Sequence, residues 1–152
     1  MNVISKKLVS VFVLLLAFSF SVNAEGDLTQ QKAIDVLLEL GNKEGELKFF
    51  PSSLSFETGR LYRLTISNPS PQKHYFSSDK FSSAIFTRKV QINHSDGRVM
   101  VEVKGAIREV EVYPGSRVEW WFVALKSGQF NDLKCTIEGH HEAGMKANIV
   151  LH

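Results

Sequence analysis

Apolar and polar positions alternate over short stretches through most of this chain, and Gly, Pro, Asn and Ser punctuate them. Leu47–Phe50, Leu54–Phe56, Leu61–Ile66, Arg98–Val103, Glu109–Tyr113, Val118–Val123 and Ala147–Leu151 read as strands. Thr58-Gly59, Asn68-Pro69, Asp96-Gly97, Pro114-Gly115 and Ser127-Gly128 read as the turns between them. In Leu61–Ile66 the set Tyr62, Leu64 and Ile66 differs in polarity from Leu61, Arg63 and Thr65, as a strand with one buried face requires. This spacing predicts an all-β sandwich or barrel.

Two stretches resist the pattern. Ala33–Leu40 has the composition of a helix, and Asp27 followed by Gln30 resembles a helix start. Its residues Ile34, Val36, Leu38 and Leu40 also alternate with Asp35, Leu37 and Glu39, and the run stops at Gly41. We read it as a strand, because the later elements ask for a sheet partner and tertiary context overrides propensity. Phe76–Arg88 is rich in Ser and Phe without a regular period, and reads as a long excursion between strands that includes at most a helical turn. There is no internal repeat or low-complexity tract.

The first two dozen residues carry a different signal. Lys6 and Lys7, the apolar run Leu8–Phe20 and the small-residue end Val22-Asn23-Ala24 make a secretory signal peptide over residues 1–24, with an uncleaved anchor as the alternative. Removing those 24 of the 152 residues leaves 128, enough for one core and read as a single domain over residues 25–152. The formal charge of +2 comes from Lys6 and Lys7, so the remainder balances 16 basic against 16 acidic residues. Nothing in that balance points to nucleic acid or anionic lipid. Export, to the periplasm, is the expected location, and no membrane span is expected after cleavage.

Cysteine usage narrows the chemistry. Exported domains of this size usually carry an even number of cysteines, but this chain has only Cys135. A lone thiol in an oxidising compartment is best tolerated when it is buried or ligated. The run CTIEGHHEAGM from Cys135 to Met145 places a thiolate, an imidazole five residues on and a thioether ten residues on in one short segment. Gly139 and Gly144 allow the loop to fold back, bringing His140 and Met145 towards the sulfur. Thiolate with imidazole selects copper or zinc over magnesium or calcium, and the thioether favours copper. A His₂Cys plane with a weak axial Met needs a second imidazole, and His74, beyond the turn at Asn68-Pro69-Ser70-Pro71, is the best candidate. Taken singly, His74 would be a surface residue and Met145 a core one; only together do they argue for a metal. His141 is the rival to His140, while His94, beside the Asp96-Gly97 turn, and His152 read as solvated. Trp120 and Trp121 fall on opposite faces of their strand, one for the core and one outward.

These residues resemble the cupredoxins of the plastocyanin and azurin group over nearly all of residues 25–152. The resemblance runs through FFPSSLSFETG, LYRLTISNPS, His74 and VYPGSRVEWWFV to CTIEGHHEAGMKANIVLH, where Cys, four residues, His, four residues and Met precede a terminal strand. It implies a two-sheet Greek-key β-sandwich holding one copper ion, with His74, Cys135 and His140 equatorial and Met145 axial. Three departures stand out. Gly128 to Cys135 is one residue longer than the family's spacing, which predicts a bulge near Asn131 and Asp132; Lys134 stands where an aromatic is common; and Tyr75 follows the first His where many members have Asn or Ser.

Such a site implies an exported, non-enzymatic and monomeric protein that passes single electrons between redox proteins of its compartment, with His140 as the exit. A trinuclear oxidase cluster would need histidines flanking the Cys, but Lys134 and Thr136 are there; a binuclear copper centre would need a second Cys where Gly139 lies. No Ser-His-Asp or paired-carboxylate arrangement supports hydrolysis. The alternatives are a periplasmic copper-binding protein for tolerance or delivery, and a metal-free interaction module.

Overall fold

A computed structural model describes residues 30–152, so the expected signal peptide lies outside the described residues. Eleven strands form two sheets. They are β1 (Ile34–Leu40), β2 (Phe49–Phe50), β3 (Ser53–Phe56), β4 (Leu61–Ser67), β5 (His74–Ser77), β6 (Ile85–Asn93), β7 (Val99–Val103), β8 (Glu109–Val112), β9 (Arg117–Ala124), β10 (Gly128–Lys134) and β11 (Lys146–Leu151). One sheet has the order β2-β1-β4-β9-β6-β7, the other β3-β11-β10-β5-β8. Both are mixed: β1 runs parallel to β4, and β3 parallel to β11, while the other pairings are antiparallel. The result is an all-β Greek-key sandwich, as the sequence implied. No helix among the described residues is long and apolar enough to cross a membrane.

The alternation in β4 acts as anticipated. Tyr62, Leu64 and Ile66 are buried in the core, and Arg63 and Thr65 are half-buried on the outer face; Leu61 departs from the pattern and is buried too. The ambiguous N-terminal segment is a strand, β1, held in register from Ile34 opposite Tyr62 to Glu39 opposite Ser67. Its helical composition yields to β4, which offers a free edge and a covered inner face to its alternating side chains. Between the sheets, edge-to-face and tilted contacts link Phe56, Phe76, Phe81, Trp120 and Phe122, with centroids 5.1–6.5 Å apart. Trp120 is in this core, and Trp121 lies outward between Arg63 and Lys89.

The region read as an irregular excursion is more ordered than its sequence suggests. Phe76–Arg88 contributes the second half of β5, the one helix of the described residues, α1 (Asp79–Ala84), and the start of the nine-residue strand β6. The period was hidden because the β6 pairing with β9 slips between Thr87 and Lys89, which breaks the two-residue alternation. Strand β10 was not among the expected strands either, since its Gly, Gln, Asn and Asp residues have low β propensity. Its pairing with β11 slips between Phe130 and Leu133, where the extra residue predicted a bulge.

That bulge has a purpose. It carries Asp132, whose Oδ1 accepts from Ser78 Oγ at 2.8 Å and whose Oδ2 accepts from Lys80 N at 3.0 Å. Ser78 in turn caps α1, accepting from Phe81 N. The strand that leads to Cys135 is thereby pinned to the helix that follows His74.

Asn68 organises the other approach. Its buried side chain donates to Val112 O at 2.7 Å and Gln72 O at 2.8 Å, and its Oδ1 accepts from Ser70 N at 2.9 Å. Asn68→Ala strands these buried partners and is expected to lower the unfolding free energy by at least about 2 kcal/mol, measured by urea denaturation of the metal-free protein.

Candidate metal centre

Three ligand-type side chains meet at one end of the sandwich. His74 opens β5, Cys135 directly follows β10, and His140 lies in the loop leading to β11. Pairing between β10 and β5, at Lys134 opposite Ser77, brings residues 61 positions apart side by side. Cys135 Sγ lies 3.5 Å from His140 Nδ1 and 3.9 Å from His74 Nδ1, and the ligand atoms of all three residues lie within 4.8 Å of one another. The rings are 5.2 Å apart and inclined at 57°.

This geometry suits an ion better than it suits a hydrogen-bonded core. A metal about 2.0–2.3 Å from each nitrogen and sulfur needs donors separated by about 3.5 Å, and small side-chain shifts bring the pairs at 3.5 and 3.9 Å to that spacing. His74 and Cys135 are fully buried and His140 is 9% exposed. Two buried imidazoles converging on one buried thiol are a donor set that a shared cation can use, since all three offer lone pairs to the same point.

The loop between the sulfur and β11 folds back as the two glycines suggested, with Gly139 at φ 81° and Gly144 at φ 110°. Its ends are tied together: Cys135 N donates to Met145 O at 3.1 Å, and Met145 N to His140 O at 2.9 Å. Met145 is fully buried in this loop mouth. Of the four residues singled out in the sequence, His74, Cys135 and His140 bring their ligand atoms together, and Met145 joins them through backbone hydrogen bonds to Cys135 and His140. The other three histidines do not. His141 is half-exposed beside Glu142, His94 lies in the turn with Asp96, and His152 is exposed and bonded to Ser55 Oγ.

Several contributors were invisible in the sequence. Tyr75 serves the site through its backbone, with N–H donated to Cys135 Sγ at 3.4 Å; its hydroxyl donates to Glu111 at 2.8 Å. The second hydrogen-bond partner of His74 is Ser70, whose Oγ is 2.8 Å from Nε2. His140 differs: among the described residues its Nε2 has no hydrogen-bond partner, and the residue keeps 9% of its surface exposed.

Burial lowers the His74 pKa from 6.5 to about 4, with a smaller push from His140. In the unfolded chain the same group binds a proton near pH 6.5, so between those values the unfolded state holds more protons. Metal-free stability should therefore decline as the pH falls from 6.5 towards 4, by up to about 3 kcal/mol, and the effect should level off below that. Urea midpoints at intervals between pH 7 and pH 4 test this, with His74→Gln expected to flatten the slope.

Comparison with solved structures identifies the architecture. Auracyanin B matches with a TM-score of 0.50 at 17% identity, covering 78% of this chain and 88% of that one. Auracyanin A, described as a "blue" copper protein from Chloroflexus aurantiacus, matches with a TM-score of 0.50 at 14% identity over 80% of this chain and 100% of its own. A laccase from Pediococcus acidilactici gives 0.57 at 14% identity, with 80% of this chain covering 27% of that larger protein. No protein-family model and no curated protein sequence matches the chain. At such identities the likeness speaks for the fold, and the fold is that of the cupredoxins.

Proposed function

We propose that the protein is an exported blue copper protein that carries single electrons, in which His74, Cys135, His140 and Met145 would hold the ion. The observation that carries the reading is the buried trio of Nδ1, Sγ and Nδ1 facing one another at near-coordination spacing. A soft thiolate with two imidazoles, beside a buried methionine on the same loop, favours copper over zinc. Bound there, copper would supply one-electron chemistry between Cu(I) and Cu(II).

The residues of the chain supply the rest. Buried on rigid strand ends, His74 and Cys135 hold their donor atoms in place, so little rearrangement is needed between oxidation states. The Tyr75 N–H on the sulfur stabilises negative charge there. His140, the one of the three ligand-type residues that keeps some exposure, offers a short path to a redox protein docked at that end. Four protein donors leave no open position for substrate, and Lys134 and Thr136 flank the cysteine where an oxidase cluster would need histidines. Residues 1–24 support export to the periplasm.

Titrating the mature protein with Cu(II) is expected to saturate at one ion per chain and produce an intense visible band that bleaches reversibly with one electron per copper. Stopped-flow mixing with redox proteins of the same compartment then decides the role. Fast reversible exchange supports the carrier, whereas copper hand-off without it would make the protein a copper store or delivery protein.

A further inference from the structure

The outer edge of His74 is sealed inside the protein, and the hydrogens around it can be counted. Ser70 Oγ lies 2.8 Å from His74 Nε2, donates to Gln72 O at 3.0 Å and accepts from Gln72 N at 3.1 Å. A serine hydroxyl has one proton to give. With that proton on Gln72 O, the 2.8 Å contact is made by a hydrogen carried on Nε2. Gln72 O also receives Asn68 Nδ2 at 2.8 Å, and the two lone pairs of a carbonyl accommodate both donors. In the opposite tautomer the hydrogen sits on Nδ1 and faces Cys135 Sγ at 3.9 Å, a long contact to a sulfur that already accepts from Tyr75 N.

We infer that Ser70 is a positioning residue that holds His74 as its Nε2–H tautomer and fixes the ring so that the Nδ1 lone pair faces the sulfur. Its consequence for metal rests on the copper reading; its effect on the tautomer does not. Gly41 completes the device by leaving room for it. A Cβ at Gly41, where φ is +73°, would stand 2.9 Å from Ser70 Cβ and 3.2 Å from His74 Nε2. The two imidazoles are thus held unequally, His74 by a buried hydroxyl and His140 without a partner on Nε2 among the described residues.

Imidazole nitrogen NMR on the metal-free mature protein at about pH 7.5, above the titration of an ordinary histidine, reads the tautomer directly. The wild type is expected to show His74 protonated on Nε2 alone. Ser70→Ala should mix the tautomers of His74 but not of His140, and should raise the Cu(II) dissociation constant by about 10–100-fold with an unchanged far-ultraviolet circular dichroism spectrum. Gly41→Ala should move both readouts in the same direction. A wild-type His74 protonated on Nδ1, or a Ser70→Ala protein with an unmixed tautomer and wild-type affinity, would overturn the assignment. If Ser70→Ala does not fold, the wild-type tautomer decides alone. A wild type with the Nε2–H tautomer but no copper affinity would sink the copper reading and leave the role of Ser70 in holding His74 intact.

Discussion

Cys135→Ser is expected to give a folded sandwich that shows no intense visible band with Cu(II). The band requires charge transfer from a thiolate sulfur, and a hydroxyl oxygen is a harder donor that stays protonated at neutral pH. The two side chains are close in volume, and the hydroxyl can still accept the Tyr75 N–H, so the stability change should stay within about 2 kcal/mol. Visible spectroscopy with circular dichroism on the same sample separates loss of the chromophore from loss of the fold. Persistence of the band in the variant would mean that copper sits elsewhere, and the four-residue assignment would be wrong.

The second large effect is structural. Trp120 is fully buried, packs edge-to-face on Phe76 at 5.6 Å and Phe81 at 5.9 Å, and donates its indole N–H to Thr87 Oγ1 at 3.1 Å. Trp120→Ala removes these contacts and leaves a void, at a cost of about 3–5 kcal/mol. Against a total stability of about 5–15 kcal/mol, this should lower the melting temperature by at least about 10 °C. Trp121→Ala is the control one residue away. On the outer face it loses cation–π contacts with Arg63 at 5.5 Å and Lys89 at 5.2 Å, worth about 1 kcal/mol each or less, and one indole N–H bond to Glu119 Oε2 at 3.2 Å, but no core packing. Calorimetry on the metal-free proteins tests the difference; equal losses would mean that the two indoles are not divided between core and surface.

Much of this arrangement was legible in the residues. Alternation in Leu61–Ile66 and Val118–Val123 identified the two central strands β4 and β9, because each buries one face and exposes the other. The extra residue before Cys135 announced the bulge in β10, since an added residue in a paired strand has nowhere else to go. The strands β5, β6 and β10 were obscured by Ser- and Asn-rich composition and by register slips, which erase a period of two. Among the site residues, the segment Cys135–Met145 was visible because its donors share one loop. His74 was nominated from outside that loop, and only its pairing across the sheet puts Nδ1 beside the sulfur.

By itself the sequence determined the all-β class and the kind of donors available, since these depend on residue type and spacing along the chain. Tertiary structure decided which imidazoles face the thiol, that Ser70 and Gly41 stand behind His74, and that Tyr75 contributes a backbone N–H. Those facts depend on distances between segments far apart in sequence, which arise only when β5, β10 and the β1–β2 turn close on one another.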